Sequence, residues 1–354
     1  MTTVKTALTD VRVFDGTRLS EPTTVVIDGA VLGDDAAGAR TVGCDGATLL
    51  PGLIDAHVHL VVPDDLTKLA GHGITTALDM ACWPAERVDS FRGRVPDIRS
   101  AGVPAIGPGG NHARMPGMPA EAILTSPNQA KDFVARRVAE GSDYIKIVIE
   151  GDLLDQATIE AVITEGKVNG KLTIAHASSV DAYRRAVHAG ADVVTHVPRD
   201  GVLDPGTVAL MAKRRQVAVP TLTMMEAVVD GARVPGEDYA FCRDTVAALH
   251  EAGVPVLAGT DAFSGHAPIP NPVVHGPSLH RELALLVAAG LTPAEALRAA
   301  TTLPARHFGL PDRGAVRPGL RADLLLVDGD PLSDITATRH IRGAWSAGTE
   351  ITHV

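Results

Sequence analysis

The chain has 354 residues, and 32 Lys and Arg against 42 Asp and Glu give a formal charge of −10. That balance argues against a nucleic-acid binder, which needs a basic face, while 45% hydrophobic residues exclude a largely disordered chain. No run of ~18 apolar residues and no apolar signal segment occurs, and Cys44, Cys82 and Cys242 show no CxxC spacing, so the expectation is a cytoplasmic protein without disulfides or a membrane partner.

Residues 1–50 read as short strands. TALTDVRVFDG and TTVVIDGAVLG are β-branched runs closed by Asp-Gly, a hairpin signal. GLRADLLLVDGD (319–330) has the same character. The two ends, 1–50 and 310–354, are expected to form one small composite β-sandwich. Between them, apolar strands at 53–60, 73–80, 103–109, 144–150, 172–177, 192–197, 217–222 and 254–260 alternate with helical patterns. SPNQAKDFVARRVAEG (126–141) carries Ser126 as N-cap, Pro127 in the first turn and Gly141 past the end. A helix over 292–309 leads back to the small domain. Eight strands, most followed by a helix, across roughly 51–290 predict an α/β fold, a (β/α)8 TIM-like barrel spanning 51–309. A doubly wound open sheet is the alternative, but no GxGxxG follows any strand. With aromatics at 3%, the core has to be built from Ala, Val, Leu and Ile.

In such a barrel the active site lies at the C-terminal strand ends. Strand 1 ends in His57-Val58-His59, whose i, i+2 spacing puts both imidazoles on one face. His176 ends strand 5, His196 strand 6 and Asp261 strand 8. Four histidines and an aspartate at four matching strand ends form a nitrogen- and oxygen-rich set suited to zinc or a similar divalent metal. Lys146 interrupts the buried run Tyr-Ile-Lys-Ile-Val-Ile. An ammonium has donors only and cannot bind metal, but carboxylation by CO2 would make it an anionic carbamate able to bridge two ions. The other reading pairs Lys146 with Asp261 or another carboxylate.

PGLIDAHVHL (51–60) resembles the opening signature of the amidohydrolase superfamily. GSDYIKI, LTIAHAS, VVTHVP and LAGTDA resemble its later metal-site segments in order. HRELALLVAAGLTPAEALRAATTLPARHFGL and RGAVRPGLRADLLLVDGDP are similar to its C-terminal stretch, so the resemblance runs nearly end to end. It is nearest to the branch of imidazolonepropionase-like and prolidase-like hydrolases. The resemblance implies a barrel with a composite β-sandwich and a two-metal centre of divalent ions, zinc being expected. By position it makes His57 and His59 ligands of the first metal and His176 and His196 ligands of the second. Carboxylated Lys146 would bridge the two, and Asp261 would bind the first metal and shuttle protons. It implies hydrolysis of an amide or peptide-like C–N bond in a small molecule, such as an N-acyl amino acid or dipeptide. A deaminase and a lactone or ester hydrolase are the rival activities, and an inactive scaffold is the non-enzymatic one.

Substrate contacts are expected from loops at the active end. His112 and Arg114 lie in GPGGNHARMPGMP (107–119), Arg199 follows His196 and suits a substrate carboxylate, and His280 begins a helix near the mouth. His266 and His275 in the loop after strand 8 are weaker candidates, and Met224 and Met225 are expected to pack. His72, His188, His250, His307, His340 and His353 sit in helices, turns or the small domain and are read as structural. Only thirteen residues separate His59 from Gly73, a short first loop that predicts a pocket open on that side. A homo-oligomer is compatible with this sequence.

Overall fold

The structure is a computed structural model that describes residues 5–265 and 272–351; His266 and His353 lie outside the described residues. Both ends of the chain feed one eight-stranded sheet. Its central strand, Thr48–Pro51, pairs parallel with Thr6–Val13 and antiparallel with Leu324–Val327. Thr23–Asp28 turns back through Gly29 (φ +63°) into Val31–Gly33, the hairpin that the Asp-Gly signal predicts. Leu8, Leu49, Leu324, Leu326 and Trp345 pack into a core of their own on this sheet.

The middle of the chain forms two four-stranded parallel sheets flanked by helices. One runs Ile145–Val148, Thr173–His176, Val193–Thr195, Val217–Val219; the other runs Asp97–Ser100, Ile74–Asp79, Leu53–His59, Ala262–Phe263. Backbone hydrogen bonds join them at both margins. Ala105 exchanges bonds with the Lys146 and Val148 strand, both at 2.8 Å. On the other side Ala218 N–H donates to Pro255 O, Leu257 N–H to Ala218 O, and Ala56 N–H to Ala258 O, each at 2.9 Å.

The helices end where their caps require. Ser126 and Gln129 form a capping box before Ala130–Ala139, and Ser179 caps Val180–Ala189, which stops at Gly190 in the left-handed region. Among the described residues no helix is long and apolar enough to cross a membrane. The three cysteines are buried and free.

Three elements differ from expectation, each through proline or glycine. The third strand is Asp97–Ser100 rather than 103–109, where only isolated bridges form at Ala105 and Ile106. Gly102 (φ +64°) turns the chain, and Pro104 lacks an N–H for a continuous ladder. The strand expected at 254–260 is reduced in the same way to a bridge at Val256, beside Pro255. The helix expected over 292–309 is two, Pro293–Ala299 and Thr302–His307. Pro304 excludes a helical bond to the Ala300 carbonyl, which instead accepts from Ile54 N–H at 2.7 Å.

At the N-terminal strand ends, buried Arg313 ties these layers together. It donates to Thr76 Oγ1 at 2.9 Å, to Asp97 Oδ2 at 2.8 Å and to both oxygens of Asp312. Asp323, which leads into Leu324–Val327, lies 3.9 Å away.

Candidate metal centre

The opposite strand ends gather the histidines. His57 Nε2 and His59 Nε2 lie 3.2 and 2.9 Å from Asp261 Oδ1, and His196 Nδ1 lies 3.8 Å from Asp261 Oδ2. His196 Nε2 and His176 Nδ1 share a hydrogen bond of 2.9 Å. The ligand atoms of His57, His59 and Asp261 all fall within 4.8 Å of one another.

The backbone around Asp261 explains this convergence. Asp261 adopts φ +59°, a left-handed conformation rare outside glycine and found at sites the surroundings over-determine. Its N–H donates to His57 O at 2.7 Å. Buried Asp55 accepts from Thr260 N–H and Oγ1 at 3.0 and 2.8 Å and from His57 N–H at 3.2 Å. Gly259 permits the approach, because a Cβ there would lie 2.9 Å from His57 N. Across the cluster, Thr221 hydrogen-bonds His196 Nδ1. Its loop is held by Glu282, which accepts from Leu222 N–H, Thr223 N–H and Thr223 Oγ1.

Burial sets the charge states. It pushes His57 down to about 3, helped by Lys146, and holds His176 and His196 well below the usual histidine range. Burial would lower His59 too, but the hydrogen bond and charge of Asp261 outweigh it and raise that imidazole. Burial opposes ionisation of Asp261, yet the neighbouring imidazoles hold it well below the usual carboxylate range. Three lone-pair imidazoles beside a carboxylate make a donor set suited to a divalent cation. Nδ1 of buried His57 has no partner, and its Nε2 faces Asp261 Oδ1 at 3.2 Å without hydrogen-bond geometry, which fits a ligand better than a structural histidine.

Lys146 is buried within the same cluster. Its Nζ donates to Thr195 Oγ1 at 3.1 Å, and among the described residues no carboxylate comes within ion-pair distance. Burial lowers it from 10.5 to about 7, against the charges of Asp261 and Asp79. The pairing with a carboxylate weighed from the sequence is therefore not formed.

A cavity of about 410 Å³ opens over these residues, lined also by His112. The His112 ring lies 4.9 Å from that of His176, and its Nδ1 is 3.2 Å from Glu150 Oε2. The other expected substrate contacts do not line this cavity. Arg114 is exposed on a short 3-10 turn. Arg199 pairs with Glu237 at 3.1 Å, its Nε left buried without a partner. His280 is buried between Thr338 Oγ1 and His72 O, both at 3.1 Å, and so links a helix to its neighbours. His275 is buried 3.5 Å from Asp65. Met224 lines the cavity, whereas Met225 is buried in the core. A groove of about 500 Å³ beside Lys167, Arg214 and His307 lies at the opposite strand ends and holds none of the cluster.

The amidohydrolase family model matches residues 48–352. The chain belongs to the amidohydrolase family. An uncharacterised protein of Mycobacterium tuberculosis (strain ATCC 25618 / H37Rv) is 33% identical, over 86% of this chain and 85% of its own length. Imidazolonepropionase of Ectopseudomonas mendocina (strain ymp) is 28% identical over 90% of each chain. Among solved structures, a Xaa-Pro dipeptidase with bound methionine superposes with a TM-score of 0.81 at 22% identity, covering 98% of this chain and 99% of its own. A candidate prolidase from Bifidobacterium longum gives 0.83 at 26% identity, over 99% and 95%. These amidohydrolase neighbours are of the TIM-barrel type, the members are hydrolases, and the family generally uses metal ions.

Sequence reading passed over Asp55, Asp79, Glu150 and Glu282. Asp55 was open to detection, because i−2 from His57 places it on the same strand face. Asp79, at the end of Ile74–Asp79, accepts from Leu60 N–H at 2.9 Å and from Ser100 Oγ. Burial raises it to about 6, Asp55 to about 7 and Glu282 to about 7. These carboxylates orient the backbone and neighbouring side chains behind the donor set, the supporting role expected around metal ligands.

Proposed function

We propose that this protein is a two-metal hydrolase of an amide-type C–N bond. Its frame would be a closed (β/α)8 barrel over 51–309, with 1–50 and 310–354 as the β-sandwich. The observation that carries the reading is the buried donor set itself, with His57 Nδ1 unpaired and Nε2 turned toward Asp261. His57, His59 and Asp261 would hold one ion, His176 and His196 the other, and carboxylated Lys146 both. When bound, two divalent ions, zinc by the donor set, supply a nucleophile at neutral pH and polarise the scissile carbonyl.

The protein's own groups do the rest. With Lys146 lowered to about 7, a substantial share of Nζ is a neutral amine near neutral pH. That nitrogen can attack the carbon of CO2, forming one N–C bond and releasing one proton to leave a carbamate. Asp261, ionised and hydrogen-bonded by His59, accepts the proton of the attacking water. It then returns that proton to the departing nitrogen, without which an amine is a poor leaving group. A bound substrate would displace water from the apolar walls and so strengthen these charge interactions.

Replacing Lys146 tests the two-metal reading. Lys146→Ala should drop bound zinc from about two equivalents to one or fewer and remove most activity. Lys146→Arg should not restore either, since guanidinium offers no acceptor. Full zinc content and full rate in Lys146→Ala would reduce the lysine to a structural role. A single equivalent in fully active wild type would favour a deaminase.

A further inference from the structure

Resting on the hydrolase reading, we propose that the substrate portion lying away from the metal centre is uncharged and apolar, as in an aryl or alkyl amide or carbamate. A dipeptide or N-acyl amino acid carrying a free carboxylate fits this cavity poorly. Four of the chain's seven methionines, Met80, Met115, Met118 and Met224, line it, together with Val228 and Phe263. Methionine walls are apolar, polarisable and adaptable, which suits varied hydrophobic shapes.

The charge inventory points the same way. A carboxylate taken from water into such a site needs a paired cation. Among the described lining residues the only Lys or Arg is Lys146, which sits at the metal centre, hydrogen-bonded to Thr195 Oγ1, and would be anionic once carboxylated. The segment 266–271 contains neither Lys nor Arg in its sequence. The two arginines placed near the mouth by sequence are elsewhere engaged or exposed: Arg199 is neutralised by Glu237, and Arg114 points to solvent. Glu150 adds an opposing charge beside His112, accepting from Asn111 N–H at 3.0 Å. The hydrogen bond from His112 holds it ionised against the effect of burial. Away from the metal centre a carboxylate would meet Glu150 and, among the described residues, no free Lys or Arg.

Benzohydroxamates provide the test, because the hydroxamate engages the metals while the para substituent reads the cavity. Binding of 4-methyl- and 4-carboxybenzohydroxamate to zinc-loaded protein would be measured by calorimetry. The methyl compound should bind at least tenfold more tightly. Met224→Arg should erase or reverse that preference, whereas Arg199→Ala should leave it unchanged. Equal or tighter binding of the carboxy compound to wild type would overturn the proposal, as would failure of the methyl compound to bind zinc-loaded protein. Turnover of acetanilide-type amides is followed in parallel. A retained tail preference without any amide hydrolysis would sink the hydrolase reading while leaving the character of the cavity established.

Discussion

The two ends of the parallel strands bury polar clusters of opposite design. At the N-terminal ends, Arg313 meets Thr76, Asp97 and Asp312 in hydrogen bonds of 2.8–3.0 Å. Donors there find acceptors, and the guanidinium joins the strand layer to the terminal sheet. At the C-terminal ends, the His57 ring makes no hydrogen bond, no carboxylate among the described residues reaches Lys146, and Asp261 sits in a left-handed conformation. One cluster closes on itself; the other leaves lone pairs pointing inward. Buried polar groups without partners cost stability, and an unpaired imidazole set beside a carboxylate is the arrangement expected where an external ligand is accommodated.

The largest effect that would sharpen this contrast is at Asp261. Asp261→Asn keeps the shape and one acceptor but cannot carry a proton. It should retain much of the zinc while kcat for an amide falls roughly 10²–10⁴-fold, the scale of general acid–base catalysis. The loss should shrink for an activated ester, whose leaving group needs no protonation. An unchanged amide rate in steady-state assays would remove the shuttle.

Next comes Arg313→Met at the other end. Removing one partner of a buried ionic cluster should cost about 2–4 kcal/mol in chemical denaturation, somewhat below a fully enclosed pair because Asp312 is half exposed. Zinc content and kcat of the folded protein should stay near wild type. A lost metal site in this variant would break the separation between the two ends.

The smallest effect concerns pH. Burial raises Glu282 from 4.5 to about 7 in the folded state, so its native form binds a proton that the unfolded chain has released over that interval. Its contribution is fully present below about pH 4.5 and is lost as pH rises through about 7. Glu282→Gln carries no charge to bury. Between pH 5 and 8 the variant should lose less stability than wild type, by on the order of 2 kcal/mol. Parallel curves in denaturation at several pH values would show that Glu282 titrates as it does in water.

The metal-type residues were readable because strand geometry is local. HxH at i, i+2 fixes two side chains on one face, and His176, His196 and Asp261 each end an apolar run. The parallel strand order was legible for the same reason, except where Gly102, Pro104 and Pro255 interrupt ladders. Substrate contacts were not legible, since they depend on distant partners. Arg199 is taken by Glu237, 38 residues on, and His280 by Thr338, 58 residues on. Nothing within either segment announces that capture. The methionine wall was equally hidden, because Met80, Met118 and Met224 come from three separate parts of the chain and meet only across the folded cavity.

The strand Thr48–Pro51 is wholly buried, yet one of its two neighbours is Leu324–Val327. During synthesis the ribosome must therefore make the entire region that carries the histidine cluster before that edge is covered. Until then an apolar strand, Thr-Leu-Leu-Pro, presents unpaired backbone groups, the kind of edge that recruits other chains. Nascent chains stalled before Leu324 should consequently be aggregation-prone and chaperone-dependent, even with every residue of the histidine cluster already translated.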